Sequence, residues 1–332
     1  MEYRKLGKSD LATSVLTLGA WQFGCERWWG KVPEKEIRQL IAKSVDSGIN
    51  TIDTAIGYDD SEIIVGKAIK GIREKVIVVS KGGADPGKIP KRADLSLKRM
   101  GLDHIDLYLV HYPDYDIPIE DTIGAMVQLK ESGKIRHIGV SNFSAEQLAR
   151  AASVADIACC QQAYNIVWRE IEDVGTMEVC RARDIGVLAY SSLGQGLFSG
   201  KIRSLDDIAK RGGGIRNITV LFKGEAFEEG LKIVEILDDL AGKYKKTPAQ
   251  IAINWVINRK GISSAIVGMK NAGQLTDNLC AVGWIMEKDY YELLSSRGSQ
   301  VSKLFDYDYS MFGMKYSEIK IDKMIDDTLK LS

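Results

Sequence analysis

The sequence predicts an α/β protein folded as a (β/α)8 TIM barrel, and three observations point there. Short β-branched runs alternate with longer amphipathic stretches, the runs number eight, and no Pro- or Ser-rich linker or shift in composition divides them. A chain of 332 residues with 45% hydrophobic content has material for a barrel core of roughly 250 residues with additions around it. Residues 1–332 are therefore read as a single barrel domain. A doubly wound sheet with a second domain competes, but no GxGxxG opens a helix after the first strand.

In chain order, residues 1–14 are expected to form a small hairpin ahead of the barrel. The eight strands are VLTLGAW (15–21), INTID (49–53), VIVVS (76–80), IDLYLVH (105–111), IRHIGVS (135–141), DIACCQ (156–161), IGVLAY (185–190) and SSAIVG (263–268). Between them, apolar residues recur three or four apart in PEKEIRQLIAKSVDSG, SEIIVGKAIKGI, KRADLSLKRMG, IEDTIGAMVQLKESG, SAEQLARAAS, IEDVGTMEVCRARDIG and the segment from Glu225 to Gly242, which is helical spacing. Gly48, Gly101, Gly133 and Gly186 are expected to close helices, because glycine enters the left-handed cap at little cost. Ser144 with Gln147 and Thr247 with Gln250 read as capping boxes, so helices should start near 145 and 248, Pro248 presetting the first turn of the second. Two further additions stand out: a long loop after strand seven, 191–247, with the glycine-rich SLGQGLFSG and KRGGGIRN, and a C-terminal extension, 287–332, with FDYDYSMFGMKYSE.

Composition narrows the function. Lys plus Arg equals Asp plus Glu at 45 each, which supplies no field for nucleic acid or an anionic membrane. The apolar runs are short and MEYRKLGKSD lacks an apolar signal core, so a soluble cytoplasmic protein is expected. Five cysteines without a CxxC pair favour neither a disulfide framework nor zinc.

Barrel chemistry sits at the C-terminal ends of strands. Asp53 ends the second strand, Tyr58 follows in its loop, Lys81 ends the third and His111 the fourth. A phenol with a pKa of about 10 is a poor acid at neutral pH, but a nearby ammonium favours the phenolate and a carboxylate keeps that lysine charged. With a histidine to orient a carbonyl oxygen, the set is a proton donor aimed at a carbonyl. No serine elbow and no metal-ligand cluster accompany it, and no metal is assigned. Across the mouth lie Ser141-Asn142, Gln161, Tyr190-Ser191 and Gly268-Met269-Lys270. Their amides and hydroxyls suit a carboxamide, a tyrosine ring stacks on a flat heterocycle, and glycine-rich loops bind phosphate, which fits a nicotinamide nucleotide without naming it. Singly, each residue has a plain structural reading: Asp53 a turn cap, Lys81 a rim charge, Tyr58 and His111 packing. Their joint placement at strand ends favours a site. Trp28-Trp29 reads either as a pocket wall or as an edge patch, and the tail tyrosines as a cover for the mouth, a subunit contact or packing elsewhere.

The motifs IDTAIGYDDSE, VVSKGG, LDHIDLYLVHYPD, GKIRHIGVSNFS, CQQAYN, AYSSLGQGLFSGK and VGMKNAGQLTDN occur in unbroken order. From Tyr3 to about Asp289 the chain resembles the aldo-keto reductase family, especially a prokaryotic branch that looks like voltage-gated potassium-channel beta subunits. The resemblance implies a catalytic tetrad of Asp53, Tyr58, Lys81 and His111, with Tyr58 the proton donor, and hydride from NADPH, less often NADH, without a metal. It also implies that Ser141, Asn142 and Gln161 hold the nicotinamide carboxamide and that Tyr190 stacks on the ring. Ser191, Leu193, Gln195, Gly196 and Lys201 match the loop around the pyrophosphate, with Arg216 a loop arginine near the cofactor. Lys270, beside Gly268, matches a basic position near the 2′-phosphate, and Gln274 and Asn278 match adenine-side positions.

The activity implied is reversible reduction of a small aldehyde, ketone or keto-sugar to an alcohol. A cofactor-sensing regulatory or scaffold protein, like the channel beta subunits, is the alternative, and a barrel aldolase using Lys81 as a Schiff base is a third. Departures from the family pattern are Asp59-Asp60 where a glycine commonly follows the tyrosine, Tyr112 where tryptophan is frequent, and Met269-Lys270 where many relatives carry Ala-Arg. The acidic pair is expected to disfavour anionic substrates, and lysine at 270 supplies charge without arginine's fork.

Overall fold

The computed structural model describes residues 1–331, apart from the side chain of residue 331. A short antiparallel hairpin, β1 (Tyr3–Lys5) and β2 (Ala12–Ser14), comes first. Eight parallel strands then close a barrel: β3 (Leu16–Gly19), β4 (Thr51–Asp53), β5 (Ile77–Gly82), β6 (Ile105–Val110), β7 (Ile135–Ser141), β8 (Ile157–Ala163), β9 (Gly186–Tyr190) and β10 (Ile262–Gly268), with β10 pairing back onto β3. The architecture is the (β/α)8 barrel that the alternation predicts, each strand falling within or beside its expected run. The runs are largely apolar on both faces because both faces are buried: all six residues of β6 are buried.

Inside the barrel, Val79, Leu107, Leu109, Cys159, Leu188 and Ile266 form one cluster, and Leu6 and Leu11 of the hairpin plug it from below. Gly7 makes that plug possible. Its φ is +54°, and a Cβ there would stand 2.6 Å from the Asp184 carbonyl oxygen and 2.8 Å from that of Ala158. The larger core lies between the barrel wall and its surrounding helices.

Local signals behave as physics demands, with two corrections. Both expected capping boxes form, at Ser144 and Thr247, and a third at Ser204 with Asp207 opens the helix Leu205–Lys210. Gly48, Gly101 and Gly133 take left-handed caps. Gly186 does not: it starts β9, where a Cβ would sit 2.5 Å from a Leu6 methyl, and Asp184 at φ 52° turns the chain instead. The stretch IEDVGTMEVCRARDIG is two helices, Glu170–Asp173 and Thr176–Arg183, broken at Gly175 with φ +81°.

The segment after β9 runs through short 3-10 turns and the helix Leu205–Lys210 into Gly224–Tyr244. Beyond the helix Lys288–Ser302, the C-terminal segment crosses the barrel mouth. Met311 packs with Ala163 and Trp168, and Lys320 pairs with Asp114 at 2.8 Å and Asp116 at 2.6 Å. In the final helix, Ile321–Leu331, Asp322 pairs with buried Arg92 and accepts the backbone N–H groups of Ala84 and Asp85. Among the described residues no helix is long and apolar enough to cross a membrane.

Candidate active site

Strand register assembles the four reactive side chains. Asp53 pairs with Val79 and Lys81 with Leu109, and Val79 and Leu109 point into the barrel. Side chains repeat every two residues along a strand, so Lys81 lies one inward step above Val79 and His111 one above Leu109. The apolar interior thus ends upward in a polar layer. Lys81 is fully buried; its Nζ donates to Asp53 Oδ2 at 2.8 Å, to the Thr54 carbonyl at 2.8 Å and to the Tyr58 hydroxyl at 3.4 Å. The His111 ring meets the Tyr58 ring edge-on, centroids 5.6 Å apart.

Tyr58 comes from a loop, and its position depends on packing. Ser61 Oγ donates to the Ala20 carbonyl at 2.8 Å and bonds Thr54 Oγ1 at 2.8 Å. Gly24 lies so close that a Cβ would be 2.2 Å from the Tyr58 carbonyl oxygen. Trp21 stacks on the Tyr58 ring at 5.7 Å, and Trp29 and Phe312 meet Trp21 edge-on at 5.4 and 6.0 Å. The C-terminal segment therefore supplies part of the aromatic wall.

Burial dominates the charges. It pushes the Lys81 ammonium down while Asp53 holds it up. It keeps the His111 imidazole well below its usual range, with the Lys81 charge acting the same way, so the ring is neutral. The Tyr58 hydroxyl is held well above the ordinary phenol range, first by burial and then by the Asp53 carboxylate. This reverses the lowering expected from Lys81 alone: removing the phenol from water outweighs one ammonium that Asp53 already neutralises.

The second half of the mouth touches the first. Gln161 Nε2 donates to the other Asp53 oxygen at 2.7 Å, and Ser141 pairs in register with Gln161. Asn142, at φ 61°, donates to the His111 carbonyl at 2.9 Å and accepts from the Tyr190 hydroxyl at 2.8 Å. Ser191, Gln195 and Gly196 all have positive φ, with Leu193 partly buried among them. Gln195 Nε2 reaches Ser191 Oγ at 2.6 Å, and Arg216 Nε reaches the Gln195 carbonyl at 3.0 Å. Lys201 is exposed beyond this turn. Gly268 lies against Gln22, the Lys270 backbone N–H donates to Gln274 Oε1 at 2.7 Å, and Asn278 is buried one turn on.

A dinucleotide phosphate fits what is there. The Arg216 and Lys270 charges flank the Trp29 ring at 5.6 and 5.9 Å, and the Lys270 amine bonds the Trp29 carbonyl. Among the described residues neither cation has a carboxylate partner, and burial lowers both, Arg216 adding repulsion at Lys270. Two crowded cations without counter-charge call for an anion. His111 Nδ1, Trp29 Nε1 and Gln22 Oε1 are also buried without a partner around this mouth.

The decisive comparison is of sequence. The model of the Aldo/keto reductase family matches residues 15–294. The chain belongs to the aldo/keto reductase family. It is 36% identical over 305 residues to the aldo-keto reductase YhdN of Bacillus subtilis (strain 168), covering 87% of this chain and 91% of the relative. It is 30% identical over 305 residues to the NADH-specific methylglyoxal reductase of Escherichia coli (strain K12), covering 83% and 92%. Among solved structures, the glycerol dehydrogenase AKR11B4 from Gluconobacter oxydans superposes with a TM-score of 0.78 at 28% identity, covering 89% of this chain and 94% of that one. The thermostable aldo-keto reductase Tm1743, in complex with the inhibitor epalrestat, gives 0.74 at 29%, covering 90% and 100%.

In this aldo/keto reductase the acidic turn has basic neighbours. Asp59, at φ 44°, has the Arg27 guanidinium 4.0 Å from its carboxylate, and Arg99 donates to its carbonyl. Asp60 is exposed at the start of the helix Ser61–Ile69, where the helix dipole favours a negative charge. The sequence reading did not single out Trp21, Gly24, Gln22 or Phe312; Trp21 and Gln22 lie just past a strand end, the one signal that could have found them.

Proposed function

We propose that the protein reduces a small aldehyde, ketone or keto-sugar carbonyl reversibly to the alcohol with NAD(P)H, NADPH preferred, Tyr58 donating the proton. The observation that carries the reading is the buried Asp53–Lys81 pair at 2.8 Å with Lys81 Nζ 3.4 Å from the Tyr58 hydroxyl.

The bound nicotinamide supplies hydride to the carbonyl carbon. Ser141, Asn142, Gln161 and Tyr190 would hold the nicotinamide, and Ser191, Leu193, Gln195, Gly196, Lys201, Arg216 and Gly268 the pyrophosphate side. Lys270 would meet the adenosine phosphate, with Gln274 and Asn278 at the adenine. The rest is this chain's work. A high Tyr58 pKa keeps the phenol protonated, ready for the developing alkoxide. Lys81, held charged by Asp53, stabilises the phenolate left behind. Neutral His111 offers a hydrogen bond to the carbonyl oxygen without adding charge. Trp21 and Phe312 shield the exchange from water.

Relatives include both an NADH-specific reductase and the yakc [NADP(+)] reductase of Schizosaccharomyces pombe (strain 972 / ATCC 24843). Lys270, crowded by Arg216 and without a carboxylate partner among the described residues, supports NADPH here, since NADH lacks the extra phosphate that would meet it. Following NADPH and NADH absorbance over a panel of aldehydes, keto-sugars and polyols tests the reading. No turnover by wild type, or full turnover by Tyr58→Phe, overturns it. Tight nucleotide binding without turnover, together with a stable protein partner, would instead favour the cofactor-sensing scaffold suggested by the channel-subunit resemblance.

A further inference from the structure

Tyr58 is followed by a residue in an uncommon backbone state. Asp59 has φ 44°, in the left-handed region that glycine enters freely and other residues enter seldom. Most ties around this turn hold the neighbours of Asp59. The Tyr58 N–H donates to the Ala55 carbonyl at 3.0 Å, the Ser61 N–H to the Tyr58 carbonyl at 2.9 Å and the Ile64 N–H to the Asp60 carbonyl at 3.0 Å. The Asp59 carboxylate faces the half-exposed Arg27 at 4.0 Å and the buried Cys25 thiol. Among the described residues no backbone N–H bonds the Asp59 carbonyl, which accepts from Arg99.

Arg99 comes from the last turn of the helix Ile89–Met100, whose Lys91 and Lys98 are exposed. That helix packs on the helix Ser61–Ile69 at Gly66, where a Cβ would stand 2.1 Å from the Met100 carbonyl oxygen. The Arg99 side chain is only 10% exposed, and its Nε lies 3.2 Å from Oε2 of fully buried Glu62. The other Glu62 oxygen accepts from Ser80 Oγ at 2.7 Å, and Ser80 immediately precedes Lys81. One guanidinium therefore joins the turn after Tyr58, by way of Glu62, to the strand that carries Lys81.

We propose that Arg99 is a positioning residue for proton transfer: paired with Glu62, it holds the left-handed Asp59 peptide and so keeps the Tyr58 hydroxyl beside Lys81. The proposal rests on the carbonyl-reduction reading, in which Tyr58 is the proton donor. The helix after the turn is pinned by Glu62 and by the Gly66 contact. When Asp59 relaxes to negative φ, the displacement therefore falls on Tyr58, at the other end of the turn. Glycine at 59 has no such preference for the guanidinium to oppose.

Single-turnover hydride transfer and NADPH binding, measured on Arg99→Met, test this. The transfer rate should fall roughly 10- to 100-fold, as for a donor displaced by about an ångström, while Kd for NADPH stays level. Asp59→Gly should transfer hydride at close to the wild-type rate, and Asp59→Gly/Arg99→Met should regain most of what Arg99→Met loses. Packing lost with the guanidinium would not return that way. Removing Arg99 leaves a buried carboxylate unpaired. Should the single variant fail to fold, Arg99→Met/Glu62→Gln, with and without Asp59→Gly, carries the same measurements. Deuterium uptake at residues 57–61 reads the turn without turnover: it should quicken in the Arg99 variant and hold level over β5. A wild-type transfer rate without Arg99, a loss that Asp59→Gly leaves in place, or uptake at 57–61 no faster than in wild type overturns the proposal. If the wild type turns nothing over, the reductase reading fails while the uptake still decides the tie.

Discussion

Lys81 holds a charge where water cannot reach it, and Asp53 makes that tolerable. A buried ion pair gains little over an apolar pair, but losing one partner leaves the other uncompensated. Lys81→Met should therefore abolish reduction and also destabilise the fold by about 3 kcal/mol, read from urea denaturation. Tyr58→Phe removes only a hydroxyl, so activity should fall by roughly 100- to 10,000-fold while stability barely moves. The pH profile follows from the same burial. Because Tyr58 is held above, and His111 below, their ordinary ranges, neither changes charge near neutrality. The hydride-transfer rate in the reductive direction, measured in single turnovers, should therefore be level from pH 6 to pH 8. A fall across that interval would mean that one of the two groups titrates near neutrality, against the burial that shifts both away from it. Lys270→Ala should weaken NADPH much more than NADH, since only NADPH carries the phosphate that a cation there would meet; equal losses would remove the basis for NADPH preference.

At the scale of elements, the loop that carries Tyr58 depends on a neighbour with no side chain. Gly24→Ala puts a methyl into the Tyr58 carbonyl, so either the turn 57–61 or the segment Trp21–Gly24 must move. The expected cost is about 1–3 kcal/mol in stability and up to about 100-fold in kcat, because a displacement of about an ångström at the proposed proton donor would be felt that strongly. Capping boxes are legible because their partners stand three residues apart, and both predicted ones form. The cap at Gly186 was misread for the opposite reason. Local pattern favoured glycine, while the contact that decides its role comes from Leu6, far back in the chain. Gly175 breaks a predicted helix in two with a left-handed turn that helical spacing does not register.

For the whole molecule, the C-terminal segment joins the barrel at sites remote in sequence. Arg92 and Asp322 are 230 positions apart, and Glu170 and Tyr316 are 146 apart. Arg92→Ala should leave the barrel intact but release the helix Ile321–Leu331, seen as faster amide exchange there and not elsewhere. Of the sequence alternatives for the tail tyrosines, covering the mouth is the one realised for Tyr316.

The sequence by itself determined the strand and helix alternation, the barrel, and the strand-end positions of Asp53, Lys81 and His111. Each follows from short-range periodicity and from the rule that inward side chains repeat every two residues. Only the tertiary structure decided the direction of the Tyr58 shift, the approach of Arg27 to Asp59, the crowding of Arg216 and Lys270 around Trp29, and the bond from Tyr316 to Glu170. Those are matters of desolvation and of charges meeting across the mouth, and both depend on which distant segments fold over it, which no local pattern encodes.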